Sequence, residues 1–187
     1  RLVHDLEELS KAEAGQIQLE KEPVDMAELV ETAVNRLRPQ FADKQVLLET
    51  EIPASLPMLT VDPARMSQVL INLLGNALQY TLPGGLVTVL CTLISKPSSA
   101  KNEPFNLTPC LLVAVTDTGI GLTADQLSHI FERFYRVDKS RARAGGGSGI
   151  GLTISKHLVE AHNGRLTASS PGLNQGSTFT IILPLPS

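Results

Sequence analysis

Asn72 and Asn76 sit four residues apart within the run Asn72-Leu-Leu-Gly-Asn76-Ala77. On a helix this spacing puts both amides on one face. Amide oxygens are neutral, hard donors that suit Mg²⁺, an ion that keeps most of its waters and also binds substrate phosphates. Further along, Asp117 ends the apolar run Leu112-Val-Ala-Val-Thr and is followed by Gly119 and Gly121. A carboxylate leaving a strand can accept a hydrogen bond from an exocyclic amine such as adenine N6, and neighbouring glycines let backbone approach a flat base. The third group is the glycine run from Gly145 to Gly151 with Leu152 after it. It is neither a P-loop nor a dinucleotide fingerprint, because no Gly-Lys-Ser/Thr follows and no frame reads G-x-G-x-x-G. It does deliver backbone N–H groups to a helix start, a favourable place for phosphates, with Arg136, Lys139, Arg141 and Arg143 upstream to neutralise them. Each group alone has a plain structural reading: satisfied amides, a turn, a solvated linker. Their order in one chain is what points to a nucleotide.

The elements that must carry these groups can be read from pattern. Asp62-Pro63 starts a helix, since Asp accepts orphan N–H bonds and Pro at the first position wastes no donor. That helix is expected over residues 63–80, burying Met66, Val69, Leu70, Leu73 and Ala77, with Arg65, Gln68, Asn72, Asn76, Gln79 and Tyr80 on its flank. Leu2, Leu6 and Leu9 mark a short helix closed by Gly15. Ile17, Leu19 and Val24 suggest a first strand at a sheet edge, given Pro23. Asp25 caps a helix to about Phe41, and strands follow at 46–52 and 58–61. Residues 86–95 and 111–117 pair as strands around a polar loop at 96–109, in which no chemistry is evident. A short helix at 125–131, a basic loop at 137–147 and a helix at 149–163 stopped by Gly164 come next. Strands at 165–170 and 178–185 close the sheet. This order fits a mixed sheet of about five strands with about three helices on one face, an α/β two-layer sandwich.

At 187 residues and 42% hydrophobic content the chain can bury a core, built from aliphatic side chains since it has no Trp, two Tyr and five Phe. The net charge of −3 argues against nucleic-acid binding. Its apolar runs are too short to span a bilayer. Cys91 and Cys110 form no metal motif and read as buried thiols, with strand neighbourhood leaving an approach between them open. The chain opens on Arg1 within a helical pattern, as a piece of a larger protein would.

Taken together, the motifs resemble the catalytic and ATP-binding domain of bacterial sensor histidine kinases, within the gyrase, chaperone, histidine kinase and mismatch-repair ATPases. Residues 72–80 resemble that family's N box, 117–121 its first glycine box and Phe131-Glu-Arg-Phe-Tyr-Arg136 its F box. Residues 147–152 resemble its second glycine box, and Gly176-Ser-Thr178 its last. The resemblance spans about 16–187 and implies a mainly antiparallel sheet with a flexible ATP lid, with residues 1–15 as the C-terminal end of a second dimerisation helix.

It further implies that Asn76 binds Mg²⁺, with Asn72 supporting metal or phosphate contacts. Asp117 would hold the adenine amine, helped through water by Thr178, with Gly119 and Gly121 beside it. Tyr80 would line the cleft, Tyr135, Arg136 and Lys139 would lie near sugar and terminal phosphates, and Gly147, Ser148, Gly149, Ile150, Gly151 and Leu152 would form the hinge and floor of the lid. The implied activity is transfer of the γ-phosphate of Mg·ATP to a histidine on a dimerisation domain outside these residues. The implied partners are ATP and ADP, that domain, a response-regulator receiver domain and a second copy of the parent. The implied location is cytoplasmic, compatible with an inner-membrane anchor elsewhere in the parent. Gln79 stands where the family often has Lys or Arg, and His4 does not match the phospho-accepting position. Asn72 stands where related ATPases carry a water-activating Glu, which favours transfer over hydrolysis. A Ser/Thr kinase of the anti-sigma-factor kind and a nucleotide-sensing module without transfer are the alternative readings.

Overall fold

The computed structural model describes residues 2–94, 109–137 and 148–185. Most of the polar loop at 96–109 and of the basic glycine loop lies outside them, including Lys139, Arg141, Arg143 and Gly147. Among the described residues five helices run α1 (Leu2–Glu13), α2 (Met26–Asp43), α3 (Pro63–Tyr80), α4 (Ala124–His129) and α5 (Gly151–Ala161). The strands are β1 (Glu22–Val24), β2 (Leu47–Glu51), β3 (Leu59–Val61), β4 (Leu86–Ile94), β5 (Cys110–Asp117), β6 (Arg165–Ser169) and β7 (Ser177–Pro184).

The main sheet has five strands in the order β2-β4-β5-β7-β6, and β1 and β3 form a separate antiparallel pair. Only β2–β4 is parallel; β4–β5, β5–β7 and β6–β7 are antiparallel. This is the mixed, mainly antiparallel sheet expected. The parallel pair arises because β3 and α3 intervene between β2 and β4 and carry the chain back to the same end.

Alternation along the strands builds the core. Val87, Val89 and Cys91 of β4, Val113 and Val115 of β5, and Phe179, Ile181 and Leu183 of β7 are buried. They belong to one cluster with the apolar stripes of α2 (Val30, Val34, Phe41), α3 (Met66, Leu70, Leu73) and α5 (Ile154, Leu158). Asp117 occupies the next position of the β5 alternation, so the strand aims it toward the helices. Among the described residues no helix is long and apolar enough to cross a membrane.

Two expectations need correction. The first strand keeps only residues 22–24, because β3 offers three partners and the Glu20 N–H goes instead to Asp62 Oδ2 at 2.9 Å. At the end of α5 the left-handed residue is Asn163 (φ 58°), while Gly164 donates its N–H to the Val159 carbonyl. The expected buried thiols are found: Cys91 and Cys110 pair across the strands with Val113 and Ile94, so the open possibility of an approach between them is not realised. They stand on opposite sheet faces, since residues of odd separation along β5 alternate, and both are free and buried.

One buried polar joint holds the start of α3 to the end of α5. The Asp62 N–H donates to His162 Nε2 at 2.9 Å, and His162 Nδ1 lies 2.7 Å from the Leu158 carbonyl. Both contacts are satisfied when Nδ1 carries the proton and Nε2 is bare, so the joint requires a neutral ring. Burial lowers the His162 pKa; the Leu158 carbonyl opposes this, Lys21 adds to it and Asp62 opposes it, with a net lowering. The unfolded chain therefore takes up a proton that the folded chain refuses as pH falls below about 6.5. Stability is expected to be full above that pH and to fall below it. Denaturant midpoints at pH 7.5 and 5.5 should diverge less in His162→Gln, which offers an acceptor that does not titrate. An identical pH slope in wild type and variant would remove His162 from the explanation. Exposed His129, raised by its hydrogen bond to Glu132, has the opposite sign, and the comparison cancels it.

Candidate nucleotide site

A cleft of about 1270 Å³ opens between α3 and the start of α5. Gln68, Asn72, Asn76, Gln79 and Tyr80 line it from α3, Asp117, Gly121 and Ser177 from the sheet ends, Tyr135 and Arg136 from the segment after α4, and Ser148, Gly149, Gly151 and Leu152 from the approach to α5. The structure thus gathers around one space nearly every described residue singled out from sequence.

Asp117 is 4% exposed at the sheet end of this cleft. Its Oδ1 accepts the Gly119 N–H at 2.8 Å and its Oδ2 accepts the Ser177 hydroxyl at 2.6 Å. A carboxylate has about four lone-pair positions, so acceptor capacity remains after these two bonds. The Gly119 carbonyl accepts the Gly176 N–H at 3.1 Å, and the Tyr80 carbonyl accepts the Ile120 N–H at 3.2 Å. The two glycine turns and the C-terminus of α3 are thereby one hydrogen-bonded unit. Lys44 Nζ, 2.6 Å from the Leu78 carbonyl and 3.0 Å from that of Gln79, covers the end of that helix.

The two asparagines of α3 have different surroundings. Asn72 Nδ2 donates to Ser155 Oγ at 2.9 Å, which ties α3 to α5. A Cβ at Gly151 would lie 2.4 Å from Asn72 Oδ1, so the absence of a side chain there permits the approach. Asn76, one turn on and half-buried, makes no side-chain hydrogen bond to any described residue. Its amide faces the cleft with its bonding capacity unspent.

At α5 the N-cap residue Ile150 offers no side-chain hydrogen bond to the first turn. The orphan N–H groups there give the cleft wall at Gly151 and Leu152 a partial positive charge. The segment after α4 is stapled to this helix start: Phe134 N–H donates to the Gly149 carbonyl at 3.0 Å, and Thr153 Oγ1 donates to the Phe131 carbonyl at 2.9 Å. Tyr135 and Arg136 are thus brought to the cleft, the Tyr135 ring 5.8 Å from that of His129.

Two assigned residues stand elsewhere. Thr178 pairs its hydroxyl with Thr116 at 3.0 Å, on the sheet face opposite Asp117. Ser177 is the hydroxyl that reaches the carboxylate. The alternation of Phe179, Ile181 and Leu183 carries that information back to Ser177, one residue before the one chosen. Ile150 is fully buried and serves the core, leaving its backbone to the loop. Ser155 was the other residue missed; it lies one turn inside α5 on the side facing Asn72.

Residues 61–187 match the family described as histidine kinase-, DNA gyrase B-, and HSP90-like ATPase. The chain is 37% identical over 185 residues to the signal transduction histidine-protein kinase BaeS of Escherichia coli K12, covering 99% of this chain and 36% of that protein. It is 38% identical over 184 residues to the sensor protein kinase WalK of Staphylococcus haemolyticus, covering 98% of this chain and 28% of that one. The chain therefore spans about a third of the length of these relatives. Among solved structures, full-length ShkA in complex with AMPPNP superposes with a TM-score of 0.80 at 26% identity, over all of this chain and 35% of that one.

Proposed function

Because this chain belongs to the histidine kinase-, DNA gyrase B-, and HSP90-like ATPase family, as a catalytic ATP-binding domain of the sensor histidine kinase kind, we propose that its cleft binds Mg·ATP and delivers the γ-phosphate to a histidine on a dimerisation domain. In this reading residues 1–15 end the second helix of that domain, residues 16–187 are the kinase domain, and a receiver domain of a response regulator takes the phosphoryl group onward. The observation that carries it is the placement of Asp117 and Asn76 in one cleft, which the uncapped start of α5 also lines.

Asp117 accepts the adenine amine, with Ser177 and the Gly119 N–H holding its carboxylate in place. Tyr80 lines the nucleotide channel, and Tyr135 and Arg136 face the sugar and phosphates, with Lys139 assigned to the terminal phosphate. The first-turn N–H groups of α5 and the glycine loop from Gly147 to Leu152 meet phosphate oxygens. Asn76 would hold Mg²⁺, which would supply neutralisation of the phosphate charge. The donor set fits it: Asn76 presents an unspent amide oxygen, and a magnesium ion takes few protein ligands when phosphates and water fill its shell. Among the described residues no trio of His, Cys, Asp or Glu could cage a metal without those phosphates.

Asn72 has no basicity with which to activate water, and its amide N–H is engaged by Ser155. The site therefore favours transfer to a nucleophile that arrives with its own lone pair. The relatives' histidine kinase names weigh against both the Ser/Thr kinase and the sensing-module alternatives.

Asn76→Ala is the direct test. ATP affinity in Mg²⁺ should fall by about 10- to 100-fold, the usual loss when a metal's support is removed, toward the value measured in EDTA. The melting temperature should hold, since Asn76 bonds to no described residue. Calorimetric titration checks affinity, and phosphotransfer to a separately supplied dimerisation domain checks the reaction. Undiminished Mg²⁺-dependent binding would refute the metal assignment.

A further inference from the structure

A charged residue distant in sequence from the cleft helix is buried against it. Glu8 of α1 is 7% exposed. Its Oε1 accepts from Arg65 Nη1 and its Oε2 accepts from Gln68 Nε2 at 2.7 Å; Arg65 Nη1 also donates to Gln68 Oε1 at 3.2 Å. The three side chains close a ring in which both carboxylate oxygens are used. A carboxylate is rarely buried without such compensation, and its loss leaves two donors unmatched.

The ring's position matters more than its strength. Gln68 lines the cleft, one helical turn before Asn72. Arg65 also gives its backbone N–H to Asp62 Oδ1, the cap of α3, at 3.0 Å. Helix α1 also packs against α5, with Leu9 and Ala12 buried. So α1 touches both walls of the cleft: α5 by apolar packing and α3 through Glu8. The Asn72–Ser155 bond, the Asp62–His162 joint and the packing of α3 on α5 tie those walls directly, and α1 adds an indirect tie beside them.

We propose that Glu8 is a positioning residue for the cleft: it fixes Gln68 and the spacing of α3 from α5, so that α1 governs nucleotide affinity without touching the nucleotide. The inference rests on the nucleotide reading above and extends it to a residue outside the motifs that carry that reading. A displaced α1 takes the carboxylate from Gln68 and Arg65, and the α3 wall loses its register against the start of α5.

The test measures ATP affinity of the whole 187-residue chain by calorimetry, beside its melting temperature without nucleotide. Glu8→Ala and Gln68→Ala should each weaken ATP binding by about fivefold, and the double variant should be no weaker than either single one, because the pair acts as a unit. Glu8→Gln, which keeps one of the two acceptor oxygens, should recover part of the affinity. A role in stability alone would lower the melting temperature and leave the affinity of the folded fraction unchanged. Unchanged affinity in a folded Glu8→Ala protein, or losses that multiply in the double variant, would overturn the proposal. If Glu8→Ala fails to fold, Gln68→Ala decides: unchanged affinity there overturns it equally. Absence of ATP binding by the wild type would sink the nucleotide reading, and the positioning role with it.

Discussion

Asp117→Asn is expected to weaken ATP binding by about 10- to 100-fold while leaving GTP binding less affected, the range associated with one hydrogen bond to a charged group. The reason lies in the two bonds that orient the carboxylate. The Gly119 N–H can only donate, so it must keep an oxygen opposite it; the Ser177 hydroxyl can rotate and accept. An asparagine therefore settles with its oxygen toward Gly119 and its NH₂ toward Ser177. The group then offered to the base is partly a donor, which opposes the adenine amine and suits a guanine carbonyl. Little stability is lost, because both internal bonds survive. Parallel titrations with ATP and GTP check the prediction. Equal binding of the two nucleotides by the wild type would remove the adenine role, and ATP affinity undisturbed in the variant would do the same.

The second large effect is expected at Gly176, where Ala should destabilise the fold by about 3 kcal/mol or more. Its φ of 74° is left-handed, and a Cβ there would stand 1.9 Å from the Asp117 carbonyl oxygen. The obstacle is backbone, which no rotamer can relieve. The turn is also pinned from both sides, by the Gly176 N–H to the Gly119 carbonyl at 3.1 Å and by Ser170 Oγ to the Gly176 carbonyl at 2.6 Å. For a chain of this size the melting temperature should drop by roughly 6–12 °C. Since the displaced strand is the one ending in Asp117, ATP affinity should fall in the same variant. Gly75→Ala is the contrast: it lies within α3 with nothing within 4 Å of an added Cβ, and should raise stability by up to about 1 kcal/mol. Thermal unfolding of both variants decides the point, and a Gly176→Ala protein that melts with the wild type would contradict the packing described.

The parts legible in the sequence are those set by local chemistry. Asp62-Pro63 and Asp25 carry their own start signals, and α3 begins and ends at the residues expected, 63 and 80. Its buried stripe follows from the helical period. Sheet class follows from strand order, though the parallel β2–β4 pair is visible only once the crossover is seen. What stayed hidden depends on partners distant along the chain. The Asp62–His162 joint spans 100 residues and the Glu8–Gln68 bond spans 60, and no local pattern marks either. Residues 17–21 look like a strand by composition, yet their N–H groups have no ladder of matching length. Ser177 and Thr178 differ in another way: the period-2 alternation of β7 points Ser177 to Asp117 and Thr178 to the opposite face. Lys139 and Gly147, which the resemblance assigns to a lid, lie outside the described residues.

The two sulfurs on opposite sides of the central sheet give the protein a built-in gauge of its own integrity. Burial pushes the Cys91 thiol up to about 11, and Cys110 is shifted in the same direction. At neutral pH roughly one Cys91 in ten thousand carries the nucleophilic anion while the strands stay zipped. Alkylating reagents then modify Cys91 in proportion to how often the sheet opens, which makes slow labelling a census of opening events.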